Sequence, residues 1–81
     1  MNRTDALTAL QALANDARLD LVRLLMPLGT QGLAAGDIAR ALGLSASRLS
    51  FHLSALEQAG LIRARKDGRH VFYSVDAAGM G

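Results

Sequence analysis

Apolar positions along the chain first recur at helical spacing, among leucines and alanines. In the final third they gather into short runs with aromatic and β-branched residues. Leu7, Leu10 and Leu13 step through a run of alanines, and Asn2 or Thr4 ahead of them can open a helix reaching about Ala14. Asn15-Asp16 is a second start signal, a capping amide followed by an acid in the first turn. Between Ala17 and Met26, the residues Leu19, Leu21, Val22, Leu24, Leu25 and Met26 leave hardly any polar face. That pattern predicts a helix at the centre of the domain, with Asp20 and Arg23 paired on its narrow wet edge. Pro27 and Gly29 end it, and Thr30-Gln31-Gly32 is a loop.

Residues 37–42 then predict a helix of two turns at most, stopped by Gly43, with Leu44 buried in the turn that follows. Ser45 is a good N-cap for a longer helix running to about Ala59. Gly60 and Leu61 supply the left-handed exit residue and the apolar contact that often follows it. Residues 61–66 and 70–75 suit two strands, joined by a tight turn at Asp67-Gly68. The expected fold is therefore mostly α with a small β-hairpin, in the order α-α-α-turn-α-β-β, as a single domain over residues 1–81. The short helix, the Gly43 turn and the helix from Ser45 have the lengths of a helix-turn-helix. A hairpin directly after that pair is the wing of a winged helix-turn-helix.

The helix from Ser45 carries two different faces. Leu49, Leu53 and Leu56 fall within about 60° of one another on a helical wheel and must face the core. The opposite face holds Ser47, Ser50, Phe51 and Ser54, with Gln58 further along and Arg48 and His52 on one flank. Small hydroxyls let a helix enter a major groove about 12 Å wide and exchange hydrogen bonds with base edges. Arg48 in the first turn can pair with guanine or bind a phosphate. An exposed Phe51 can touch a thymine methyl; the alternative is a rotated helix with Phe51 packed on the wing.

Charge sharpens this picture. The formal net charge is only +2, and residues 1–44 balance four arginines against four aspartates. In residues 45–75, Arg48, Arg63, Arg65, Lys66 and Arg69 outweigh Glu57 and Asp67 by three. Four of those five cations lie on the predicted wing, where a phosphate-contacting patch belongs. The candidate DNA-binding set is thus Ser45, Ser47, Arg48, Ser50, Phe51, His52, Ser54, Lys66 and Arg69.

Other chemistries find little support. The 81 residues include no cysteine and two histidines, so thiolate sites are excluded within them. His52 and His70 have no clustered acids or His-x₃-His partner to complete a metal site. Ser50 and His52, the only start of a catalytic triad with Asp67, stand about 200° apart around one helix. No catalytic residue, metal ligand or cofactor is expected. Met1 to Leu10 lacks a basic-then-apolar leader and no apolar run has membrane length, so a cytoplasmic protein is expected. The competing function is a winged helix that binds protein or dimerises a larger enzyme, for which the basic wing would have no use.

Several segments resemble the ArsR/SmtB family of metal-responsive repressors. Ala12-Leu13-Ala14-Asn15-Asp16-Ala17-Arg18-Leu19 is similar to that family's "ALAxxxRL" opening. Asp37-Ile38-Ala39 and Leu42-Gly43-Leu44-Ser45 resemble its first helix-turn-helix segment. Ser47-x-x-Ser50-x-His52-Leu53-x-x-Leu56 with Ala59-Gly60-Leu61-Ile62 resembles its recognition helix and exit, and Gly68 through Tyr73 its returning wing strand. The resemblance implies a homodimer that binds an operator in double-stranded DNA and is released by an inducer, a metal or metalloid ion in many members. It assigns DNA contacts to Ser47, Arg48, Ser50 and Phe51, where many relatives carry His at the last position, and phosphate contacts to Lys66 and Arg69. Two departures stand out. Leu33-Ala34-Ala35-Gly36-Asp37-Ile38 replaces a cysteine-bearing segment like "LCVCDL", and the family's C-terminal dimerisation helix is expected only after Gly81. Inducer ligands are therefore expected outside these residues.

Overall fold

The computed structural model describes residues 15–76 together with Arg3 and Leu7, both helical and exposed. The remainder of the expected first helix lies outside the described residues. Helix α1 spans Asp16–Leu25 and opens as its sequence requires: Asn15 Oδ1 accepts from the amides of Ala17 (2.9 Å) and Arg18 (3.4 Å). It gives way at Met26–Leu28 to a single 3-10 turn carrying Pro27. Helix α2 (Ala35–Leu42) starts two residues earlier than the pattern predicts and ends at Gly43. Helix α3 (Ala46–Gln58) is capped by Ser45, whose Oγ accepts from the Arg48 amide at 3.2 Å.

Strands β1 (Leu33–Ala34), β2 (Ile62–Asp67) and β3 (His70–Val75) form one antiparallel sheet in the order β1-β3-β2. The sequence pattern predicts only the β2–β3 hairpin. β1 was not legible because two residues carry no alternation; pairing of Leu33 with Tyr73 and Ala34 with Phe72 makes them a strand. Gly32 sets up that approach. Its φ is +62°, and a Cβ there would stand 1.9 Å from the Tyr73 carbonyl oxygen.

The hairpin turn is also shifted by one residue. Asp67 pairs with His70, so the two loop residues are Gly68 and Arg69, not Asp67 and Gly68. Only Gly68, at φ +62°, takes a positive angle, which is the pattern of a type II′ turn with glycine in its first central position. Directly paired residues share a face. Ile62, Ala64 and Lys66 therefore lie with Val75, Tyr73 and Val71, and Arg63, Arg65 and Asp67 with Ser74, Phe72 and His70.

The core is Leu21, Val22 and Leu25 of α1, Ile38 of α2, Leu49, Leu53 and Leu56 of α3, and Leu61 and Ile62 at the sheet. All three predicted core leucines of α3 are in it. Helix α1 is less central than expected. Leu24 is half-buried and Met26 is 56% exposed, because α3 and the sheet share the burial that one helix cannot command alone. The Asp20–Arg23 pair is not formed. Ion pairs among the described residues join Arg40 to Asp37, Arg63 to Asp76 and Arg65 to Asp67.

Candidate nucleic-acid interface

The leucines of α3 decide what its other face does. With Leu49, Leu53 and Leu56 turned inward, Ser47, Ser50, Phe51 and Ser54 are all exposed. None of the three hydroxyls is tied to another described residue, so each is available to an outside partner. Ser45 is exposed too, but its oxygen already caps the helix. Phe51, 67% exposed, is not packed on the wing. Its ring meets His52 edge-on at 5.7 Å and lies 5.5 Å below the Arg18 guanidinium of α1.

His52 is half-buried between α1 and α3, where its Nδ1 accepts from the Arg18 Nε–H at 3.1 Å. A neutral ring that accepts at Nδ1 carries its proton on Nε2. Burial lowers the His52 pKa below the usual imidazole value, and the charges of Arg18 and Arg48 lower it further.

Ser47, Arg48, Phe51 and His52 line one cleft of about 530 Å³ with Asn15, Ala17 and Leu44. Ser50 faces a smaller hollow of about 280 Å³, between α2, α3 and Tyr73. Burial, with Glu57 adding to it, raises the pKa of the Tyr73 phenol. Lys66 and Arg69 line neither hollow; both are exposed near the Gly68 turn.

The cationic cluster of the wing divides in two. Arg63 is paired with Asp76 at 3.5 Å and Arg65 with Asp67 at 3.7 Å. Arg65 also lies 5.0 Å over the Phe72 ring and donates to the Gln31 carbonyl. Among the described residues Lys66 and Arg69 have no acidic partner, and neither has Arg48. Sequence reasoning missed Arg18. Its place on α1 was legible, but the contact with His52, 34 residues later, exists only in three dimensions.

The surroundings of this interface match known regulators. Residues 13–65 match a family described as a helix-turn-helix domain. The transcriptional activator HlyU of Vibrio cholerae is 36% identical over 76 residues, covering 94% of this chain and 68% of the relative. The arsenical resistance operon repressor of Escherichia coli is 41% identical over 61 residues, 75% of this chain and 50% of that protein. Among solved structures, the homodimeric winged helix-turn-helix DNA-binding domain Mb0332 from Mycobacterium bovis superimposes with a TM-score of 0.83. It is described as a possible ArsR-family transcriptional regulator and is 31% identical, covering 93% of this chain and 67% of that one.

The chain belongs to the ArsR/SmtB family. As an ArsR/SmtB winged helix it is a DNA-binding transcriptional regulator, with α2 and α3 as the helix-turn-helix and β2–β3 as the wing. The segment that bears cysteines in many members forms β1 and the start of α2 here. Among the described residues no three His, Asp or Glu side chains come together, and no helix is long and apolar enough to cross a membrane.

Proposed function

We propose that this protein is a homodimeric cytoplasmic repressor that reads an inverted-repeat operator and is released by an inducer. The observation that carries the DNA reading is the outer face of α3, with an exposed Phe51 and three serine hydroxyls unengaged among the described residues, beside a wing on which Lys66 and Arg69 have no acidic partner among them. In this reading α3 enters the major groove, and Ser47, Ser50, Ser54 and Phe51 meet base edges with Arg48 at the leading turn. Ser45 offers its hydroxyl proton to the phosphate backbone of the DNA while its oxygen accepts from the Arg48 amide, and His52, Lys66 and Arg69 hold phosphates. The domain acts by binding and needs neither catalytic group nor cofactor of its own. The homodimer is supported by the homodimeric relative Mb0332. Repression is supported by the arsenical resistance operon repressor, although HlyU is named an activator.

Selection of binding sites from random duplex DNA, followed by salt titration, tests the proposal. The expected result is a two-fold symmetric consensus whose affinity falls steeply with salt, because neutralised phosphates release counterions. Absence of any selected sequence, with a shallow salt response, would favour a protein partner.

A further inference from the structure

Arg48 lines the cleft between α1 and α3 and Arg18 touches its lining residues, and among the described residues neither guanidinium meets an acid. Arg18 crosses to α3, spending its Nε–H on His52 at 3.1 Å and its flat face on Phe51 at 5.5 Å. Its two terminal nitrogens have no partner among the described residues. Arg48, on the cleft wall one turn before His52, has none for its guanidinium either. Among the described residues no carboxylate lines the cleft. Both arginines oppose protonation of His52, so the ring stays a neutral donor beside them. Arg48 in the wall, Arg18 against the lining residues His52 and Phe51, and an oriented N–H donor, with no acid among the described residues of the cleft, together suit an anion from outside.

The position of the cleft identifies that anion. It adjoins the first turns of α3, on the flank of the face carrying Ser47, Ser50 and Ser54. A helix seated in the major groove has the phosphate backbone along its flanks.

We infer that Arg18, His52 and Arg48 form a seat for one backbone phosphate of the duplex, in which Arg18 supplies charge and also fixes His52 as an Nε2–H donor. This rests on the DNA-binding reading. It adds a contact from α1, outside both the helix-turn-helix and the wing. Arg18 is thus a binding residue and, through His52, a positioning residue.

The test uses the full chain and a non-operator duplex of about 25 base pairs as probe. Arg18→Ala lowers affinity about tenfold at low salt, equally for unrelated sequences, and reduces the magnitude of the log–log salt slope by about one. Arg18→Lys keeps the slope but loses part of the affinity, because an ammonium cannot bridge His52 and a phosphate as a guanidinium fork does. His52→Gln, with an N–H near the Nε2 position, retains more affinity than His52→Asn, which preserves only the acceptor near Nδ1. Nitrogen NMR of the imidazole shows the Nε2–H tautomer in the parent and a mixture in Arg18→Ala. A folded Arg18→Ala protein with unchanged slope would overturn the seat and leave DNA binding intact, whereas failure of the parent to bind any duplex would sink the underlying reading. Inorganic phosphate is the second arm. It should weaken duplex binding no more than chloride at equal ionic strength. A stronger effect that disappears in Arg18→Ala would instead assign the site to a free anion.

Discussion

His52 shows how much one side chain can report. It lies one turn after Arg48, accepts a hydrogen bond from Arg18, and has its pKa lowered by burial first and by those two charges second. A histidine whose folded pKa lies below its unfolded value contributes stability that is fully present above the unfolded pKa, near 6.5. That contribution fades as pH falls toward the folded value, because the unfolded chain takes up the proton first. The melting temperature should therefore drop between pH 7.5 and 5.5 by more in the parent than in His52→Gln, as differential scanning calorimetry of both would show. Equal slopes would mean that His52 is not the titrating group. Arg48 makes a separate case, because its guanidinium has no partner among the described residues. Arg48→Ala, which removes its base-edge contact together with its share of the phosphate seat, should weaken operator binding by about 1–3 kcal/mol and relax preference at one base pair. Binding-site selection with the mutant checks this; an equal loss on all sequences would place Arg48 with the phosphate contacts alone.

Elements turn these side chains into surfaces. Helix α3 could present serines outward because three leucines at helical spacing take its inner face, and that division was legible from periodicity alone. The wing was legible as a basic hairpin, but not which of its cations are available. Strand alternation puts Arg63 and Arg65 on the same face as Asp67, where local acids and the Phe72 ring engage them. Lys66 and Arg69 remain. Replacing those two with Ala should weaken binding to all duplexes about equally and reduce the magnitude of the salt slope by about two. The same replacement at Arg63 and Arg65 should change the slope less. Fluorescence anisotropy over a salt series distinguishes the pairs, and a sequence-selective loss from the Lys66/Arg69 variant would make the wing a base reader instead.

For the whole molecule, the question is how one recognition helix achieves specificity. A single α3 covers about half a turn of groove, so two are needed, set about 34–36 Å apart by a two-fold axis. An 81-residue chain also buries only about 60–65% of its unfolded surface, which makes a partner subunit energetically useful. Sedimentation with a palindromic duplex should show two chains per duplex, and a half-site duplex should bind far more weakly. A protein that stays monomeric and binds half-sites as well as palindromes would remove the dimeric-repressor proposal.

The periodicity of leucines, the caps at Asn15 and Ser45 and the stops at Gly43 and Gly60 were enough to place α1, α2, α3 and the hairpin, because each depends on neighbours within a few residues. The same local chemistry separated the inner and outer faces of α3. Tertiary structure alone made Leu33–Ala34 a strand, moved the hairpin turn to Gly68-Arg69, and divided the wing arginines into paired and unpaired. It also brought Arg18 to His52. These features depend on register and on contacts between residues far apart in the chain, and a short or irregular segment carries no periodic signal of the partner that will define it.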